Sequence, residues 1–450
     1  MTSPDTVRSR IGLFLLSLIG CTSIAEGPAA PDSAGTAMAA RAAAGISVTA
    51  ADPPYGNQGQ TTKQVRVFGS GFASGDQASW ERNGIADPKI QVLSTQFVSA
   101  GELLATINIA LDAVVAFYDI AVLRPGRKGG IGTMLFEVTQ ATPIEATETA
   151  FGVNSAGETV GRIGPPGAFH FTPPAGLVAL GAPGRAFDIS EDGNAVVGFT
   201  GVCCAGAFLF ERSGASWVQT VLPKGAAPWA TAKAIGSDAT TGALVLIGGM
   251  LGYGYNQNLG RKPAVWLPGP PGWTLVPLPT PGSDDIVDDI SSNGTVVGSA
   301  NGKAAIWEQT GPASWALITA GAAGSRAWGI NSSGTLAVGA IAATGKTTVA
   351  SYWQRSGAGW GSAIPLPGGC SDARAVDDAG SIAANGCVDG SRRTAALIRA
   401  PYTSADITFL GGLGDAKNAA TVEGMSRTDG WLVGAAKLKS VMTGVYWQIF

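Results

Sequence analysis

Histidine is almost missing from this sequence: His170 is the single one in 450 residues. That excludes a multi-histidine metal centre and leaves at most one imidazole for a nucleophile and base pair. Charge is scarce as well, 14% of residues against a typical ~25%. With 29 Lys plus Arg against 32 Asp plus Glu the formal net charge is −3, so no basic field exists to hold nucleic acid. The leading apolar run, Ile11 to Ile19, is too short to span a bilayer stably. What is abundant is glycine, 65 residues or about twice its usual ~7% share. Many tight turns between apolar strands account for both the glycine and the low charge.

The first 45 residues read as an address and a tether. Arg8 and Arg10 precede the apolar run, the charged and hydrophobic parts of an export signal. The run ends in Leu18, Ile19, Gly20 and Cys21, which resembles the bacterial lipobox. The resemblance implies a signal peptide over residues 1–20 and a lipidated Cys21, and Thr22 rather than Asp after it implies the outer membrane of a Gram-negative envelope. An ordinary secretory signal that happens to contain cysteine is the other reading. Residues 21–45, rich in Ala, Gly and Pro, form a flexible tether with a mean span on the order of 25 to 30 Å.

From Ile46 to Val138 short β-like runs such as "KQVRVFGSGF", "KIQVLSTQFVS" and "ELLATINIAL" alternate with turn residues, the spacing of a β-sandwich. "VRVFGSGFASGDQASW" and the later "YDIAVLRPGRKGG" resemble the IPT/TIG family of immunoglobulin-like domains. That family implies a spacer or binding module and no catalysis.

Residues 139–450 reuse one template. "FGVNSAGETVG" at 151, "FDISEDGNAVVG" at 187, "DDISSNGTVVG" at 288 and "WGINSSGTLAVG" at 328 are its clearest copies, with weaker ones near 234, 375 and 424. The closing glycines, Gly161, Gly198, Gly248, Gly298, Gly339, Gly386 and Gly434, recur at the ~40 to 50 residue period of a four-stranded propeller blade. Each copy continues into a strand with a bulky pair, "AFHF", "AFLF", "AVWL", "AIWE" or "VYWQ", and then an outer strand. The last copy ends at its third strand, so "TQATPIEAT", residues 139–147, is expected to supply the fourth and close the ring. The fold class is therefore all-β: an immunoglobulin-like sandwich followed by a seven-bladed β-propeller. The "IN..G..VG" then "AF" pattern resembles the HAF-type extracellular repeats, which implies an exported propeller. The chain departs from that family in carrying Gly167 and Gly206 where its histidine stands.

Candidate site residues are few. Glu191 and Asp192 fall in a hairpin and read as turn chemistry. Asp188 takes a strand position that holds Gly152, Asp289, Gly329 and Ala375 in other copies; it either lines the channel or bonds a neighbouring backbone. "GSDDIVDD", 282–289, gathers Asp284, Asp285, Asp288 and Asp289, a cation or sugar-hydroxyl site or else a solvated loop. His170 aligns with Trp266, Trp307, Trp353 and Trp447 and reads as packing. Loops joining the second to third and fourth to first strands share one face, where binding residues concentrate. There Tyr253, Tyr255, Asn256, Gln257, Asn258 and Arg261 offer flat aromatic faces and amide donors for a sugar or a protein, unless the insertion is bare linker. Cys370 and Cys387 flank one hairpin and are expected to bridge; Cys203 and Cys204 remain as a vicinal disulfide or a redox pair.

No catalytic residue, cofactor or metal ligand set is expected. The reading is a lipid-anchored envelope protein, attached to a membrane by its N-terminus, that binds an unidentified protein or polysaccharide. A carbohydrate-active hydrolase or lyase using Asp188, Asp285 and Asp289 is the alternative, since paired carboxylates need no histidine. A structural subunit of an envelope assembly is the third.

Overall fold

The computed structural model describes residues 45–450, apart from 126, 165–166, 182–183, 202–205, 237–245, 253–259, 271, 344–346, 358, 391, 417–419 and 450. Cys21, the tether, Cys203 and Cys204 lie outside the described residues. Among the described residues all regular structure is β, apart from a single 3-10 turn at Ser404–Asp406.

The N-terminal region consists of two sheets. One orders the strands Ser47–Asp52, Lys63–Ser70, Glu102–Ile109 and Ile90–Ser99, and the other Tyr55–Asn57, Arg127–Thr139, Ala116–Arg124, Gln77–Arg82 and Ile85–Ala86. Strict alternation turns Leu103, Ala105, Ile107 and Ile109 inward from one strand, where they share a core with Trp80, Tyr118, Ile120 and Phe136. The two quoted motifs of this region meet at an ion pair: Arg124 Nε and Nη2 each donate to Asp76 at 2.6 Å, and Nη2 also reaches the Gly71 carbonyl. The GSGF turn is thereby fastened to the strand that follows it by some fifty positions, Asp76 itself being fully buried at its side chain.

Seven further antiparallel sheets follow, the first six each a meander of four strands consecutive in the chain, the fifth with an extra short strand at Ile364–Pro365, and the seventh with three consecutive strands and a fourth from the start of the ring. Their innermost strands are Thr147–Val153, Gly184–Ile189, Trp229–Gly236, Ile286–Ile290, Arg326–Ile330, Asp372–Val376 and Thr421–Met425. Each packs on the innermost strand of the next, and the last packs on the first, so the sheets close a ring around a channel, a β-propeller-like fold. Closure is covalently out of order: Thr142–Ile144 pairs with Val441–Gln448 as the outer strand of the final sheet, Thr142 opposite Tyr446. Chain entry and exit are thus held in one sheet, which removes a free seam.

The recurring glycine has a steric reason. It lies opposite the innermost strand, and a Cβ on Gly161 or Gly198 would stand 2.2 or 1.9 Å from the carbonyl oxygen of Thr149 or Arg185. In the third and sixth sheets the residue in this register is Gly249 and Ala384, not the Gly248 and Gly386 read from the sequence. A bulge between Ala384 and Cys387, with Gly386 at φ +64°, displaces the sixth glycine from the pattern.

Tryptophans stitch the sheets together. Trp266, Trp307 and Trp447 are fully buried, and their indole nitrogens donate to the carbonyls of Pro223, Pro279 and Gly411, each just past the outer strand of the preceding sheet. His170 does not join this column: the register gives the tryptophans' place to Phe171, and His170 turns to the following sheet, buried against Trp217 and 3.3 Å from Arg212 Nη2. The Cys370 to Cys387 disulfide is formed. The N-terminal region is fastened to the sixth sheet by Glu137, whose buried carboxylate accepts from Arg392 and from the Gly412 and Gly414 amides at 2.8 to 3.0 Å.

Candidate functional site

Each innermost strand carries a register irregularity at the same place. The pairing skips Phe151, Phe187, Lys233, Asp288, Trp328, Arg374 and Glu423, one residue per sheet. A bulged residue loses its cross-strand partner and its side chain is re-aimed. Here all seven line one cavity of about 260 Å³, joined by Arg326. Because Arg326 opens its strand, this cavity lies toward the face where the fourth-to-first connections enter.

The mouth mixes aromatic and charged groups. Arg326 Nε and Nη2 hold Asp288 in a fork at 2.7 and 2.6 Å, and Arg374 Nε donates to Asp372 at 2.6 Å. Both guanidinium groups lie over the Trp328 ring, at 5.5 and 4.8 Å from its centroid. Lys233 is different: its ammonium sits 4.6 Å over the Phe187 ring, and among the described residues it has no hydrogen bond and no ion pair within 4 Å. Burial lowers its pKa, against the attraction of Asp288. Glu423 has no hydrogen bond either, its nearest cation being Arg374 at 3.8 Å, and burial raises its carboxyl despite that arginine.

One position further along, the same strands make a floor. Asp188 accepts from the Ile189 amide and, across the sheet boundary, from Ile235 N at 2.9 and 2.8 Å. Asp289 repeats the device on Ile290 N and Ile330 N at 2.8 and 2.9 Å. Arg427 closes this end: it donates to both Asp289 oxygens at 3.0 and 3.1 Å and to the carbonyls of Ile290 and Ile330. Burial, with Asp289 nearby, pushes the Asp188 carboxyl up to about 7. Burial also raises Asp289, opposed by Arg427.

Some sequence expectations change here. Asp188 takes both roles left open, lining the channel and bonding the backbone of two strands. Glu191 is more than turn furniture: it accepts from Ser155 N and Oγ at 3.0 and 2.7 Å in the first sheet and faces Arg427 N in the last. Asp192 does stay within its hairpin, accepting from Ser190 Oγ and Asn194 N. The four carboxylates of 282–289 do not converge, because a strand begins between them. Asp284 forks onto Arg261 at 2.6 and 2.7 Å, and Asp285 is buried and accepts from Thr280, Gly282 N and Asn301 N. Only Asp288 and Asp289 reach the channel. Tyr253, Tyr255, Asn256, Gln257 and Asn258 lie outside the described residues. Among those described, no group of three or more His, Cys, Asp or Glu forms a metal cluster, and no helix is long and apolar enough to cross a membrane.

Sequence reasoning missed Phe151, Phe187, Lys233, Trp328, Arg374, Glu423 and Arg427. The signal was present: the first six stand immediately ahead of the small-residue column that contains Gly152, Asp188 and Asp289. A column that varies between Phe, Lys, Asp, Trp, Arg and Glu beside one held small marks side chains with no common packing duty.

Fold and site together define an all-β, propeller-like protein with a channel open at a mixed aromatic and charged mouth and narrowed at an arginine floor. No family model and no curated protein matches the chain. Among solved structures it is similar to virginiamycin B lyase from Staphylococcus aureus, at 11% identity over 69% of this chain and 98% of that one, with a TM-score of 0.43. It is also similar to TolB from Acinetobacter baumannii, at 13% identity over 53% of this chain and 57% of that one, with a TM-score of 0.32. The match spans little more than half of the TolB chain.

Proposed function

We propose that this chain is an exported, lipid-anchored envelope protein that binds a ligand without transforming it. In this reading a seven-bladed propeller presents the binding face, and an IPT/TIG-like immunoglobulin sandwich serves as spacer between it and an outer-membrane anchor at Cys21. The observation that carries the reading is the channel mouth, where a side chain from every sheet faces one cavity and two charged groups stay without a hydrogen bond. Rigid strands holding convergent polar and aromatic groups are the usual architecture of a binding pocket. The export signal and Cys21 supply the location.

Affinity purification of the tagged protein from solubilised envelopes, followed by mass spectrometry, tests this. A ligand or partner recovered from the wild type and lost when residues 253–259 are deleted supports binding through that face; no recovery counts against it. Loss of lipid labelling in Cys21→Ser tests the anchor. A second reading, a carbohydrate-active hydrolase, is favoured by one observation: the Asp188 carboxyl, pushed up to about 7, keeps part of its population protonated at neutral pH, as a general acid needs. Glycan turnover abolished in a folded Asp289→Asn variant would establish it and sink the binding reading.

A further inference from the structure

We propose that the channel mouth binds a small zwitterion of the α-amino-acid class, its carboxylate on the Lys233 ammonium and its ammonium on the Glu423 carboxylate. The inference rests on the binding reading above and names the ligand class for its site.

Size comes first. The mouth encloses about 260 Å³, below the ~300 to 1,000 Å³ of pockets for drug-sized ligands. Its described walls are innermost strands rather than loops.

Charge decides the class. The mouth is lined by three cations, Lys233, Arg326 and Arg374, and two anions, Asp288 and Glu423, with a third anion, Asp372, behind the lining on Arg374. Formal charge cancels, so neither a simple anion nor a simple cation is steered in by a single-sign field. Within that balance the pairing is uneven. Asp288 is forked by Arg326 and Asp372 accepts one hydrogen bond from Arg374, while among the described residues Lys233 and Glu423 are left without a hydrogen bond. Glu423 keeps only a 3.8 Å ion pair with Arg374, and Lys233 only the face of Phe187, and a charge partly withdrawn from water with so little to complete it is costly. An anion completes Lys233 and leaves Glu423 as it was; a cation does the reverse. A zwitterion completes both at once.

The aromatic groups suit the remainder of such a ligand. Phe151 and Phe187 pack at a tilt with centroids 5.3 Å apart beside Lys233, and Trp328 stands on the side of the two arginines. They form an apolar wall next to the two charges, where the side chain of an amino acid would lie.

Isothermal titration calorimetry on the detergent-solubilised full chain, with glycine, L-alanine, L-leucine and L-phenylalanine, tests the proposal. Acetate, methylamine and glucuronate serve as single-charge and sugar-acid comparisons. At least one amino acid saturates the site, and acetate and methylamine bind it at least tenfold more weakly. Lys233→Met and the nearly isosteric Glu423→Gln each weaken that binding tenfold or more while the unfolding temperature stays put. The proposal is overturned by silence across the amino-acid panel, by acetate or glucuronate binding as well as the zwitterion, or by full affinity in both folded variants. A ligand captured from envelopes while every amino acid fails removes this inference and leaves the binding reading standing. Turnover of a captured ligand removes the binding reading and leaves zwitterion occupancy to be judged by the titration.

Discussion

The floor and the mouth of the channel are made from adjacent positions on the same inner strands, with Arg427 added to the floor from just past the last of them, yet they treat charge in opposite ways. At the floor every oxygen of Asp188 and Asp289 has a donor, and Arg427 is spent on one carboxylate and two carbonyls. At the mouth, among the described residues, Lys233 and Glu423 make no hydrogen bond. Placement in the channel therefore does not tell a structural charge from an available one. Pairing does, and pairing depends on neighbours in other sheets: Asp188 bonds one sheet ahead, and Arg427 reaches from the last sheet to the fourth and fifth.

The comparison breaks most visibly at Arg427. Replacing it by Met leaves Asp289 buried beside a raised Asp188 without its cation, and should cost about 3 to 5 kcal/mol in urea unfolding. A loss under about 1 kcal/mol would mean the floor is no better tied than the mouth. Next comes the covalent clamp on the mouth side. Cys370 lies just before Asp372, the partner of Arg374, and the bridge closes a loop of 17 residues. Cys370→Ser with Cys387→Ser should lose about 3 kcal/mol, read as a lower midpoint by an amount that reducing agent reproduces in the wild type.

A smaller effect sharpens the contrast through pH. The Asp188 pKa is raised from 3.8 to about 7 in the fold, so the folded chain binds the extra proton. Its contribution to stability is complete below about pH 4 and disappears as pH rises through 7. Relative to Asp188→Asn, the wild type should lose unfolding temperature across that window, and parallel curves would place the proton elsewhere. The smallest effect belongs to Lys233→Met, which removes no hydrogen bond. Its stability should fall by less than about 1 kcal/mol or rise. A larger loss would make Lys233 a structural residue like Arg427.

Much of the ring was legible because its constraints are local. Gly161, Gly198, Gly298, Gly339 and Gly434 recur since each faces an inner-strand carbonyl with no room for Cβ, and turn residues recur since each hairpin needs the same backbone. The tryptophans were legible as packing for the same reason, though their bonds to Pro223, Pro279 and Gly411 were not. The degenerate copies misled where a bulge moved a glycine, at Gly386.

The sequence by itself determined the all-β class, the repeat and its period, the strand that closes the ring and the Cys370 to Cys387 pair. All but the closing strand follow from spacing along the chain, because alternation, turns and hairpin partners lie within a few tens of residues; the closing strand follows from the count, since the last copy of the repeat lacks its fourth strand. Tertiary structure alone decided which charges are spent. Asp285, Asp288 and Asp289 are neighbours in sequence, yet one is locked in a loop, one is forked by Arg326 and one is held by Arg427 from the far end of the chain. Ring closure sets those partners, and a charge is worth what stands within hydrogen-bond reach of it.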